Sequence, residues 1–224
     1  MPQQLSFDLP AIAARGRDDF FVSTANAVAV ALIEGWRDWP ARKLVLCGPE
    51  GAGKTHLAHV WADLSAARIL SADALATADI AQLATGNVVI EDADCIAGQD
   101  AAETAFFHLH NLTLAEGHSL LITARAAPSA WALALPDLAS RMQGTPTCVM
   151  EEPDDALLAA VMMKQFSDRQ IMPSAGTIPY LSKRISRTFR AARQTVEALD
   201  AASLSTGRPV NRALAAQLLD KSQA

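Results

Sequence analysis

The eight residues Gly48, Pro49, Glu50, Gly51, Ala52, Gly53, Lys54 and Thr55 have the spacing G-x-x-x-x-G-K-[ST]. That order is a recipe for holding phosphate. Its glycines let a loop curl until backbone N–H groups point inward at phosphate oxygens, and the helix that follows presents its positive end to the same anion. Lys54 is then placed to reach the terminal phosphates, and the Thr55 hydroxyl to ligate Mg²⁺. A second group follows in "VVIEDAD", residues 88–94. A buried strand that ends in carboxylates delivers them to the carboxyl edge of a sheet, where one of Glu91 and Asp92 can hold Mg²⁺ and the other can orient a water. Two histidine pairs, His56/His59 and His108/His110, lack acidic or cysteine partners at ligand spacing, and no metal site is expected from them.

Such groups need a scaffold, and the apolar pattern supplies one. Short runs at Lys43–Cys47, Asn87–Ile90, Ser119–Thr123 and Thr147–Met150 read as buried strands, with Arg68–Leu70 as a further candidate. Helical stretches are expected at Asn26–Trp36, Thr55–Ala66, Ala101–Ala115 and Trp131–Met142. Strands alternating with helices imply an α/β fold with a parallel sheet covered on both faces. From Asp154 strand signals stop, and Asp154–Asp168, Tyr180–Ile185, Thr188–Ser203 and Val210–Leu219 read as helices of a small lid, with Pro179 near a helix start. The expected organisation is an N-terminal peptide and tether at 1–17, a nucleotide-binding α/β domain at 18–152 and a helical lid domain at 153–224.

Composition narrows the partners. The 224 residues are 50% hydrophobic and 19% charged, which suits a folded protein, and the net charge of −5 gives no general electrostatic pull toward nucleic acid or anionic membrane. Direct sequence-specific DNA binding and membrane association are therefore not expected. Cys47, Cys95 and Cys148 are odd in number and widely spaced, there is no basic-then-apolar leader, and a reducing cytoplasm is the expected setting. At the N-terminus "QLSFDL" alternates apolar and polar side chains ahead of a tether, Pro10–Arg17. It reads either as an edge strand folding back on this protein or as a peptide for an external groove.

With both acidic and phosphate sites placed, the chain resembles the AAA+ family of P-loop ATPases, and within it the nucleotide-binding domain of the bacterial replication initiator DnaA. "GKTHLAHVW" (Gly53 to Trp61) is similar to the initiator's loop and helix, which adds His56 to the implied nucleotide-binding set, and "FFVSTAN" (Phe20 to Asn26) is similar to the segment before its first helix. "IEDADCIAGQ" (Ile90 to Gln99) resembles the family's Walker B segment. "LPDLASRM" (Leu135 to Met142) resembles the box carrying the arginine finger, which implies that role for Arg141. "SRTFRAARQTVEAL" (Ser186 to Leu199) resembles the sensor II helix, which implies that Arg190 reaches the nucleotide. The resemblance spans about Asp18 to Leu219, and few residues follow where an initiator continues into a DNA-reading domain.

The combination resembles the DnaA-related regulatory inactivators of the initiator. That resemblance implies that DnaA is the partner whose ATP is hydrolysed, that the sliding clamp (the beta subunit of DNA polymerase III) binds Gln4, Leu5, Ser6, Phe7, Asp8 and Leu9, and that ADP or ATP with Mg²⁺ is the ligand. Self-association stays open. Two departures stand out: Glu91 occupies a usual aspartate position, and Ala124-Arg125 replaces a small residue followed by an acidic sensor I group. Nucleotide binding is thus more secure than turnover. The rivals are a small-molecule P-loop kinase, a self-sufficient AAA+ motor or loader, and a truncated initiator that touches DNA.

Overall fold

Five apolar segments pair in parallel in the computed structural model, which describes residue 22 and residues 25–222. In chain order they are β1 (Lys43–Cys47), β2 (Arg68–Ser71), β3 (Val88–Glu91), β4 (Leu120–Ala124) and β5 (Thr147–Val149), arranged β2-β3-β4-β1-β5. The phosphate strand β1 therefore lies between β4 and β5, with Val45 opposite Ile122 and Cys47 opposite Ala124. Parallel strands need helical crossovers, which cover both faces of the sheet. The crossovers carry α2 (Lys54–Ser65), α3 (Ile80–Leu83), α4 (Asp100–Ala115) and α5 (Pro136–Gln143), and α1 (Ala27–Glu34) precedes β1 and adds to the cover.

Strand alternation sorts the core into two layers. Val45, Cys47, Val88, Ile90, Leu120 and Ile122 face one side and pack with Phe106 and Leu109 of α4 and Leu138 and Met142 of α5. Leu44, Leu46, Val89, Leu121 and Cys148 face the other, against Ile33 of α1 and Leu57 and Trp61 of α2. Trp39 stacks on Trp61 at 5.1 Å between ring centroids, closing that layer beneath α1.

Beyond β5 four helices gather around their own apolar cluster: α6 (Asp155–Asp168), α7 (Thr177–Ser182), α8 (Phe189–Thr206) and α9 (Arg212–Ser222). Leu158, Met162 and Phe166 of α6 meet Leu181 of α7, Val196 and Leu199 of α8 and Leu214 of α9. Side chains cap the starts, with Asp154 accepting from the Leu157 N–H at 2.7 Å and Thr188 from the Ala191 N–H at 3.0 Å. Pro179 is the third residue of α7, where its missing N–H costs no helical hydrogen bond.

Two expected helices change: the one expected at Tyr180–Ile185 is α7, which starts and ends three residues earlier, and the one expected at Trp131–Met142 starts late. Residues 131–135 are not helical; α5 begins at Pro136, which has no N–H to donate and suits a first helical position. The sequence also gave no sign of α3 or of the 3₁₀ turns at Ala72–Thr77 and Ala93–Ile96, because segments this short bury too few residues to set a period.

Candidate nucleotide site

The phosphate loop leaves β1 at the centre of the sheet and enters α2 directly. The Gly48 N–H donates to the Ala124 carbonyl at 3.2 Å, so the first loop residue stays tied to β4. Lys54 is 7% exposed, and its ammonium donates to the Gly48 and Pro49 carbonyls at 2.6 and 2.9 Å. Burial pulls the Lys54 pKa below its ordinary value; Asp92 and Asp94 oppose that shift, and Arg125 adds to it. Ala52 is buried, whereas Thr55 is exposed in the first turn of α2, followed by half-buried His56.

Glu91 ends β3, and its Oε1 is buried with no hydrogen-bond partner in the chain. Asp92 turns left-handed at φ 54°, a conformation its short polar side chain tolerates, and its N–H donates to the Thr123 hydroxyl at 3.1 Å. The chain bends there. The bend brings Asp94 under the next strand end, where its Oδ1 accepts the Arg125 N–H at 3.2 Å.

Among the described residues no three His, Cys, Asp or Glu side chains converge as a metal set. A magnesium ion at a phosphate loop needs less from the protein, since phosphate oxygens and water complete its shell. The residues present fit that demand: the Thr55 hydroxyl and the unpartnered Glu91 oxygen are the groups that would hold it.

The helical cluster reaches the same loop through the start of α8. The Phe189 N–H donates to the Gly51 carbonyl at 3.3 Å, and Arg190 forms an ion pair with Glu50. The approach is close enough to demand glycine in the loop. A Cβ on Gly51 would lie 2.6 Å from Thr188 Cβ and one on Gly53 2.8 Å from the Phe189 ring, and both glycines have positive φ. Arg190 thus meets the phosphate loop itself, through a residue that was expected to contact nucleotide.

Arg141 lies elsewhere. Its backbone carbonyl accepts the Lys43 ammonium at 3.2 Å and the Thr145 hydroxyl at 2.8 Å, and its guanidinium sits 5.3 Å over the Phe107 ring. Lys43 begins β1 and the phosphate loop follows its end, about 13 Å along the strand. The structure therefore brings Gly48–Thr55, Glu91, Asp92 and Arg190 to one sheet edge and leaves Arg141 at the opposite one. Beside Arg141, the His110 Nε2 accepts the Lys43 ammonium at 3.2 Å while Nδ1 faces Asn111 Oδ1 at 3.2 Å. Burial pushes the His110 pKa down to about 4, with Lys43 and Arg141 adding to the effect and Asn111 opposing it.

Sequence reasoning missed Thr123, Asp94 and Phe189 as parts of this edge. Asp94 was legible in principle as a third carboxylate beyond the strand, whereas the Phe189 contact depends on how α8 packs. The peptide Gln4–Leu9 lies outside the described residues.

No protein-family model matches the chain. Among solved structures it is similar to domain III of the Thermotoga maritima replication initiation protein DnaA, at 19% identity and a TM-score of 0.79 over 95% of this chain and 98% of that one. It is also similar to the initiator DnaA bound to AMPPCP and single-stranded DNA, at 18% identity and a TM-score of 0.70, covering 82% of this chain but only 63% of that one. The Thermotoga maritima Holliday junction branch migration motor RuvB matches at 17% identity and a TM-score of 0.72, over 92% and 71% of the two chains. Strand order, helical cluster and these likenesses together give the chain a DnaA-like AAA+ fold.

Proposed function

We propose that this chain is a nucleotide-binding regulator of replication initiation of the Hda type, which stimulates ATP hydrolysis by DnaA and is recruited by the sliding clamp. The observation that carries the reading is the separation of Arg141 from the chain's own phosphate loop by the length of β1. A guanidinium so placed cannot serve the nucleotide bound by its own chain, and it suits one presented by a neighbour. There it stabilises charge on the transferring phosphoryl group, worth on the order of 10³ to 10⁵ in rate for fingers supplied in trans.

The loop Gly48–Thr55 with Glu91, Asp92 and Arg190 is the chain's own nucleotide site, and ADP is its working ligand in this reading. Bound Mg²⁺ would neutralise phosphate charge there, with Thr55 and Glu91 as its protein ligands. Gln4 would fix the N-terminal peptide in the clamp groove by amide hydrogen bonds while Leu5, Phe7 and Leu9 fill it, with Ser6 and Asp8 on the other side. The deciding experiment is the rate of ATP turnover by the initiator, with and without this protein and a DNA-loaded clamp. Stimulation that requires both supports the reading, and an unchanged rate refutes it. A self-sufficient ATPase or loader is the second reading, favoured by the complete phosphate loop and opposed by Arg125 in place of an acidic group.

A further inference from the structure

Arg125 stands one residue past Ala124, whose carbonyl holds the first residue of the phosphate loop. Adjacent strands in a sheet lie about 4.8 Å apart, so the exposed Arg125 side chain starts beside the loop's mouth. Its backbone is fixed there by the Asp94 carboxylate at 3.2 Å. Asp94 lies two residues beyond Asp92, whose N–H is tied to Thr123 on the same strand as Ala124. The edge that must receive a polyanion therefore carries Asp92 and Asp94 as well as Lys54. Arg190 at the same edge is already paired with Glu50, so the two carboxylates beside the Lys54 ammonium disfavour phosphate unless a further positive charge is supplied, and a divalent cation is the usual source.

We propose that Arg125 is a nucleotide-binding residue acting in cis. Its guanidinium takes an oxygen of the diphosphate beside Lys54 and offsets the charge of Asp92 and Asp94. Nucleoside diphosphate is then retained when the divalent cation is withdrawn. The inference rests on the nucleotide-binding reading above and adds a ligand contact and a metal independence to it. Its chemistry is ordinary: a guanidinium offers phosphate two parallel N–H donors, and a charge-assisted bond of that kind survives where a neutral one is lost.

Calorimetric titration of the full chain with ADP, in Mg²⁺ and in excess EDTA, tests the proposal. Wild type should bind ADP in EDTA within about tenfold of its Mg²⁺ value, whereas Arg125→Ala should lose about tenfold to a hundredfold more in EDTA than in Mg²⁺. Arg125→Lys should recover part of the loss, and AMP, which lacks the diphosphate, should bind all three proteins alike. An Arg125→Ala protein that keeps ADP in EDTA as wild type does overturns the proposal. So does one that loses AMP and ADP equally, since that marks a structural defect. Wild-type chain that takes up ADP in neither buffer overturns the nucleotide reading itself, and Lys54→Ala, run alongside, separates that outcome from a failure of Arg125 alone.

Discussion

Lys54 shows how a single side chain is readied for an anion by the loop that also needs it. The ammonium is buried and bonded to the Gly48 and Pro49 carbonyls, so under the proposed function it would reach phosphate by exchanging one set of oxygens for another. Replacing Lys54 with alanine should leave the fold in place and weaken ADP. Saturating wild type at 100 times the dissociation constant should add about 2.7 kcal/mol of stability, and the variant should show a smaller melting shift at the same ADP concentration. Equal shifts would remove Lys54 from the site. His110 makes a second prediction at this scale. Its folded pKa of about 4 lies below the ordinary 6.5, so its contribution is complete above pH 6.5 and is lost as pH falls toward 4. The loss should amount to about 3 kcal/mol across that window, and His110→Gln, whose amide oxygen can still accept from Lys43, should flatten it in pH-dependent denaturant titrations.

Among the elements, α4 and α5 are joined by one buried carboxylate. Glu103, fully buried on α4, accepts N–H groups from Gly98, Ala134 and Leu135 at 2.7, 3.0 and 2.7 Å. Burial alone would raise its pKa, and the three backbone donors outweigh that and hold it below the ordinary 4.5. Glu103→Gln turns one acceptor into a donor facing an N–H, and should cost about 1–3 kcal/mol at pH 7. The cost should shrink below pH 4.5, where the wild-type carboxylate is itself protonated as pH falls through its lower folded value; melting curves at pH 7 and pH 4 check it.

This joint also explains where the sequence was readable. The strands announced themselves because both faces of the sheet are covered, which makes each a short continuous apolar run. The irregular approach to α5 did not, because its backbone donors are satisfied by a residue thirty positions earlier, a pairing that no local pattern carries. The phosphate loop was legible for the opposite reason, since its chemistry is confined to eight consecutive residues. Arg125 could be read only as a departure until register placed it beside Gly48.

For the whole molecule, binding and stimulation should come apart. Arg141→Ala removes a guanidinium stacked on Phe107 at an exposed position, while the Lys43 and Thr145 contacts to its backbone carbonyl remain. The variant should melt within about 1 kcal/mol of wild type, bind ADP normally and fail to stimulate initiator turnover. Retained stimulation, or loss that follows only from unfolding, would dismiss the role. Deleting Met1–Pro10 should likewise abolish clamp binding with unchanged melting temperature and ADP affinity. A deletion that unfolds the chain would place the peptide in this protein's own core.

A molecule that receives at one sheet edge and projects its guanidinium at the other has a direction, as a link in a chain does. Contacts between unlike ends repeat head to tail, so their natural product is a ring or an open row and not an isologous pair. Under the proposed function, this protein would act in such a row as a terminator. Each copy that docks on an initiator's nucleotide uses that one end, and its own receiving edge, if it cannot recruit another initiator, stops growth. Turnover should then saturate at one regulator per row of initiators, not one per initiator, and a titration at fixed initiator concentration should show a plateau well below equimolar addition.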